Sequence, residues 1–114
     1  MTVAPVRNPT FVTLSHGSIR NAYDIRLRNK HGEARDFRLS LGGTTGLQLR
    51  VEGAADPVVD VPADTSRLQR VYVIAPPQTA AAAAPRSDLR FWVEDLRSGE
   101  RAYGDTIFNG KDSQ

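Results

Sequence analysis

Apolar and polar side chains alternate along almost the whole chain, in short segments set apart by Gly, Pro, Asn and Asp. Successive side chains of an extended strand point to opposite faces, so a period of two describes strands with one buried and one wet face. The stretch NAYDIRLRNKHGEARDFRLSL, residues 21–41, shows it most plainly. Tyr23, Ile25 and Leu27 share one face, and Asp24, Arg26 and Arg28 the other. After the charged KHGEARD the alternation resumes, with Phe37, Leu39 and Leu41 inward and Asp36, Arg38 and Ser40 outward. KHGEARD itself reads as a joint between strands, and Greek-key connectivity favours a joint that crosses from one sheet to another.

The same pattern gives about seven strands, at 10–14, 22–28, 34–41, 47–52, 67–75, 89–95 and 101–108, with a shorter one at VVDV, 58–61. One-sided strands must cover their apolar faces against a second layer, so the expected fold class is all-β. It is an antiparallel sandwich of the immunoglobulin-like or fibronectin III-like kind. No stretch has a helical period. PPQTAAAAAPRSD has prolines at both ends, which makes a loop, or at most one helical turn, the expected conformation, with its small side chains exposed. At 114 residues the chain fits a single domain. Residues 1–9 read as an extension or linker, 10–110 as the sandwich and 111–114 as a tail.

The last two strands can be paired in detail. In LRFWVEDLRSGERAYGDTIF, a loop of Arg97, Ser98 and Gly99, with Gly99 at positive φ, pairs Leu96 with Glu100. Val93 then faces Tyr103, Leu89 faces Ile107, Asp95 meets Arg101, and Trp92 lies across from Gly104 with room for the indole.

The composition excludes several chemistries. Cysteine is absent, which removes disulfides, thiolate metal sites and cysteine nucleophiles. A net charge of +2, with arginines scattered among acids, is too weak and too dispersed for a nucleic-acid-binding face. No apolar run is long enough to span a bilayer, and MTVAPVRNPT lacks the features of a signal peptide. GxSxG, Walker-type and dinucleotide-binding patterns are missing, and GGTTG lacks the lysine and helix that would make it cradle phosphate.

Few residues remain as chemical candidates. Glu94, Asp95 and Asp105 are close on the last hairpin, but Glu94 and Asp95 point to opposite faces of their strand, which argues against a general acid and base pair. His16 and His31 lie in separate turns without metal-ligand spacing, and turn histidines are usually solvated. Arg26, Arg28, Arg38, Arg50 and Arg90 face outward and offer a surface for an acidic partner. The interspersed Asp24, Asp36 and Glu52 favour an ordinary solvated sheet. No catalytic, cofactor-binding or metal-ligating residue is assigned.

The segments RNPTFVTLSHGSIRNAYDIRLRNKHGEARDFRLSL, RVYVIAPP and DLRFWVEDLRSGERAYGDTIFNG cover nearly the whole chain. Together they resemble the C-terminal immunoglobulin-like domain of the FixG or CcoG type of cytochrome c oxidase accessory protein. The resemblance implies a parent anchored in the inner membrane, with two [4Fe-4S] clusters, and this domain in the periplasm. It also implies a part in assembling cbb3-type oxidase, with copper as the metal reduced. Clusters of that kind are held by cysteine thiolates, so the redox centres belong to other segments. Copper(I) prefers sulfur ligands, and the only sulfur here is at Met1. The domain is therefore expected to be a non-catalytic docking module for oxidase subunits or assembly factors. Two rival readings are a weak metal site, a copper relay through His16 or His31 that requires the two imidazoles to converge with a third donor, and a purely stabilising spacer.

Overall fold

In the computed structural model, which describes residues 1–111, two antiparallel sheets pack face to face. The first contains β1 (Thr2–Pro5), β2 (Val12–Thr13), β3 (Ile19–Asn29), β5 (Gln48–Val51) and β7 (Thr65–Ala75), in the order β1-β3-β7-β5 with β2 also on β3. The second contains β4 (Arg35–Gly43), β6 (Val58–Val61), β8 (Arg86–Asp95) and β9 (Arg101–Asn109), in the order β6-β4-β8-β9. Strands β1, β3, β7 and β5 take the places of A, B, E and D of an immunoglobulin constant-type sandwich, and β4, β8 and β9 those of C, F and G. The extra strand β6 flanks β4. KHGEARD thus joins β3 of one sheet to β4 of the other and crosses the sandwich.

Alternation places the core. Tyr23, Ile25 and Leu27 of β3 meet Val71 and Val73 of β7, Leu39 of β4, Phe91 of β8 and Phe108 of β9, and all of these are buried. Each large apolar side chain so buried contributes about 1.5–3 kcal/mol through removal of apolar area from water. Tyr23 and Phe91 form an edge-to-face pair with ring centroids 5.1 Å apart. The Tyr23 hydroxyl donates to the Ile107 carbonyl at 2.8 Å, and burial pushes its ionisation well above the ordinary tyrosine value.

Three expectations need correction. Residues 1–9 are not merely an extension, because Thr2–Pro5 pairs with β3 and extends the first sheet. A Cβ on Gly104 would lie 3.0 Å from Val3 Cγ2, so the bare Gly104 backbone is what lets β1 close the sandwich edge over β9. The alanine-rich segment does form one turn, α1 (Ala80–Ala83), capped by Thr79, but its side chains are not all exposed. Ala81 and Ala82 are buried, and the Lys111 N–H donates to the Ala82 carbonyl at 2.8 Å, so methyl-sized side chains let the turn pack against the end of β9. Of the expected tail, only Lys111 lies within the described residues.

The third correction is the register of the last hairpin. Its loop has four residues, Leu96, Arg97, Ser98 and Gly99, with Gly99 at φ 79°. The buried Asp95 carboxylate accepts from the N–H groups of Arg97 (2.8 Å) and Ser98 (3.2 Å), and this side-chain-capped turn absorbs one more residue than a three-residue loop. Pairing shifts by one: Trp92 faces Tyr103, Val93 faces Ala102, Leu89 faces Thr106 and Glu94 faces Arg101. A one-residue slip exchanges the two faces of a strand. Phe108 therefore enters the core, while Tyr103 and Ile107, which the expected register sets on the same face as the buried Val93 and Leu89, are 52% and 37% exposed.

Candidate interaction surface

The joint end of the sandwich gathers the residues that most resemble a reactive cluster. Asn29, buried at the end of β3, donates through Nδ2 to the carbonyls of Glu33 (2.9 Å), Val61 (3.0 Å) and Pro62 (3.2 Å), and accepts from the His31 N–H at 2.9 Å. One amide thereby ties the joint to the end of β6. Arg35 Nη1 donates to Asp95 Oδ2 at 2.6 Å, and Arg35 Nη2 also reaches Glu33, which in turn pairs with Arg97. Burial alone would raise the Asp95 pKa. The Arg97 and Ser98 N–H groups and the Arg35 guanidinium outweigh it and hold the carboxyl below the usual aspartate value.

His31 Nε2 lies 3.6 Å from Asp95 Oδ2, too long for a firm hydrogen bond, and the imidazole is half exposed. His16 sits in the turn before β3 and His31 just beyond its end. Eleven strand residues rise about 33 Å, so the two imidazoles stand at opposite ends of the molecule and do not converge. No group of three or more His, Asp or Glu able to hold a metal ion occurs among the described residues. The acids of the last hairpin also separate: Asp95 points inward to Arg35, Asp105 pairs outside with Arg90 at 2.7 Å, and Glu94 stands outside opposite Arg101. The Arg90 guanidinium holds Asp105 below the ordinary carboxylate range.

The outward arginines divide between two faces. Arg26, Arg28 and Arg50 lie on the first sheet, Arg38 and Arg90 on the second. On the first, the acids are already engaged: Arg70 Nε donates to Asp24 at 2.7 Å, Arg28 pairs with Asp64 at 3.3 Å, and Glu52 accepts from the Tyr72 hydroxyl at 3.2 Å.

The second face is different in kind. Trp92 and Tyr103 stand side by side with ring centroids 5.1 Å apart. The Arg90 guanidinium carbon lies 3.8 Å from the Tyr103 centroid, and that of Arg101 lies 4.4 Å from the Trp92 centroid. A Cβ on Gly42 would come within 3.0 Å of Trp92 Nε1, so it is the bare backbone of Gly42, rather than Gly104, that makes room for the indole. A shallow groove of about 450 Å³ runs beside this cluster, lined by Gly43, Arg90, Trp92, Asp105 and Thr106. Each arginine lies over a ring, a cation–π contact that favours one placement of its side chain and so lowers the ordering cost when a partner covers it. Sequence reasoning missed this cluster because its register put Tyr103 inside. The available signal was the alternative pairing that sets Arg90 against Asp105, Glu94 against Arg101 and Trp92 against Tyr103 at once.

Comparison with known proteins agrees with this fold. A family model described as "IG-like fold at C-terminal of FixG, putative oxidoreductase" matches residues 1–111. Protein RdxB of Cereibacter sphaeroides is 58% identical over 109 residues, covering 96% of this chain and 23% of that protein. Protein RdxA of the same organism is 50% identical over 100 residues, covering 88% of this chain and 21% of the relative. The nitrogen fixation protein FixG of Rhizobium meliloti is 33% identical over 108 residues, covering 90% of this chain and 20% of its own length. The chain thus spans about a fifth of the length of these curated relatives. A crystal structure of a FixG-related protein from Vibrio parahaemolyticus superimposes with a TM-score of 0.80 at 15% identity, covering 96% of this chain and 94% of that one, which supports the fold. The chain belongs to the family of immunoglobulin-like domains found at the C-terminus of FixG.

Proposed function

We propose that this domain is a non-catalytic docking module, carried in the periplasm by a membrane-bound iron-sulfur protein of the FixG type. In this reading it brings that protein to cbb3-type oxidase subunits or their assembly factors while copper is reduced and delivered. The carrying observation is the cluster of half-buried Trp92 and Arg90 with exposed Tyr103 and Arg101 on the outer face of β8 and β9. Trp, Tyr and Arg are the residues that dominate interface energetics, and here they are oriented by one another on rigid strands.

The [4Fe-4S] clusters of such a parent do not fit this chain, which has no cysteine to hold them. In this reading copper is a substrate of the parent. A relay through His16 and His31 lacks the convergence it needs. The test removes residues 2–110 from the membrane-bound parent and records both how much parent accumulates and how much active oxidase is assembled. Normal accumulation with failed assembly is the expected result. Loss of the parent itself would make the domain a stabilising spacer.

A further inference from the structure

The free edge of β9 is satisfied along only part of its length. At the mouth of the hairpin the Asp95 N–H donates to the Glu100 carbonyl at 2.9 Å. Hydrogen-bonded pairs recur at every second residue of an antiparallel ladder, so Ala102, Gly104, Thr106 and Phe108 direct their backbone groups to β8. Arg101, Tyr103, Asp105, Ile107 and Asn109 direct theirs away from it. Two of these are covered from the other sheet. Tyr23 donates to the Ile107 carbonyl, while the Asn21 amide both donates to the Asn109 carbonyl and accepts from its N–H, each at 2.8 Å. Arg101, Tyr103 and Asp105 lie beyond this cover, on a strand whose only ladder partner among the described residues is β8; β1 packs against β9 where Val3 meets Gly104 but pairs with β3 and leaves these backbone groups unpaired. The strand, RAYGDTIFN, has none of the prolines or lysines that commonly blunt an exposed edge.

We infer that this open edge pairs with the same edge of a second copy of the chain, antiparallel about a two-fold axis at Tyr103. The register follows from the side chains. Centred there, Tyr103 faces Tyr103 of the second copy, and Arg101 faces its Asp105. The observed ladders then extend the match across the joined sheet, because Arg38 faces Glu94, Glu94 faces Arg101, and Asp105 faces Arg90. One row therefore reads Arg38, Glu94, Arg101 from one copy and Asp105, Arg90 from the other, with charges alternating at every step. The central row sets Trp92 and Tyr103 of one copy against Tyr103 and Trp92 of the other, as aromatic cross-strand pairs prefer.

The neighbouring registers lack this match. Moving the pairing by two residues sets Arg101 against Tyr103, or against Ile107 with Tyr103 facing Asp105. Asp105 can serve both neighbours, since Arg90 occupies one acceptor position on each oxygen and a carboxylate has about four. Arg101 can remain over the Trp92 ring while the edge of its guanidinium fork reaches across. A contact this short lies well below the roughly 800 Å² per partner of a standard interface, so the free chain pairs weakly.

The test uses the purified 114-residue chain without other proteins, so failure here leaves docking by the exposed face standing, and the reverse also holds. Because the chain has no cysteine, Tyr103→Cys introduces a single thiol at the axis. It is compared with Leu68→Cys, which is exposed on the opposite sheet. On oxidation, Tyr103→Cys is expected to form a disulfide-linked dimer about tenfold faster or more, because symmetric strand pairing brings its two Cα atoms within disulfide reach. In the unaltered chain, amide exchange at Arg101, Tyr103 and Asp105 is expected to slow between about 10 µM and about 1 mM, while exchange at Ala22 is unchanged. Tyr103→Pro, which removes an outward-facing N–H and the central ring but no ladder bond to β8, is expected to abolish this slowing at Arg101 and Asp105 while the β3 amides stay protected. Equal cross-linking rates for the two cysteine variants, or exchange at the three edge amides that does not depend on concentration, would overturn the pairing.

Discussion

The β3–β4 joint and the outer face of the β8–β9 hairpin hold similar residue types, arginine and carboxylate beside a ring, and differ in whether those groups are already satisfied. At the joint, Asn29 and Asp95 are buried and Arg35 is nearly so, each bonded to another of them or to backbone apart from Arg35 Nε, which has no hydrogen-bond partner among the described residues, and His31 only borders them. On the hairpin face, Arg90 and Asp105 are paired but open, and Tyr103 is half exposed with free backbone beside it. The joint, read from the sequence as a connection between strands, is here a clamp between two sheets. The surface with unused capacity for contact is the one whose residues looked merely structural.

This contrast can be sharpened by substitution. The largest effect is expected from Arg35→Ala, which leaves the buried Asp95 carboxylate without its cation; truncating one partner of a buried pair costs roughly 3–5 kcal/mol. Thermal or denaturant unfolding measures it, and a loss below about 1 kcal/mol would mean that the joint is no clamp. A smaller effect is expected from acid. The Asp95 pKa is lowered in the fold, so its stabilising contribution is complete above the ordinary value of 3.8 and is lost as pH falls through the lower folded value. Asp95→Asn should flatten that part of the stability profile, and an unchanged acid limb would contradict the assignment. Smallest of all, His16→Gln and His31→Gln should each change stability by less than about 0.5 kcal/mol, since both rings stand at turns and neither holds a core contact.

The fold was legible in the sequence because strand alternation is a local signal. Tyr23, Ile25 and Leu27 are buried as the pattern requires, Val58–Val61 is a strand as read, and the charged joint crosses the sandwich. What was not legible depended on single-residue choices made in three dimensions. Two hairpin loops were chemically plausible after Asp95, and only the burial of Phe108 and the capping by the Asp95 carboxylate decide between them. That one residue moved Tyr103 from the expected core to the surface and so hid the aromatic cluster. Ala81 and Ala82 were misread for a related reason: an alanine run carries no periodicity that says which methyl groups will be covered.

The central claim is that the domain acts through this face rather than through the joint or by bulk stabilisation. Its most direct test is Trp92→Ala combined with Arg90→Ala in the membrane-bound parent, two residues away from the β9 edge that truncate the cluster without touching the core. The amounts of parent protein and of assembled oxidase are recorded together. The account predicts unchanged parent and oxidase assembly reduced to the level seen when residues 2–110 are deleted. Full assembly with the truncated cluster, beside failed assembly in the deletion, would contradict it.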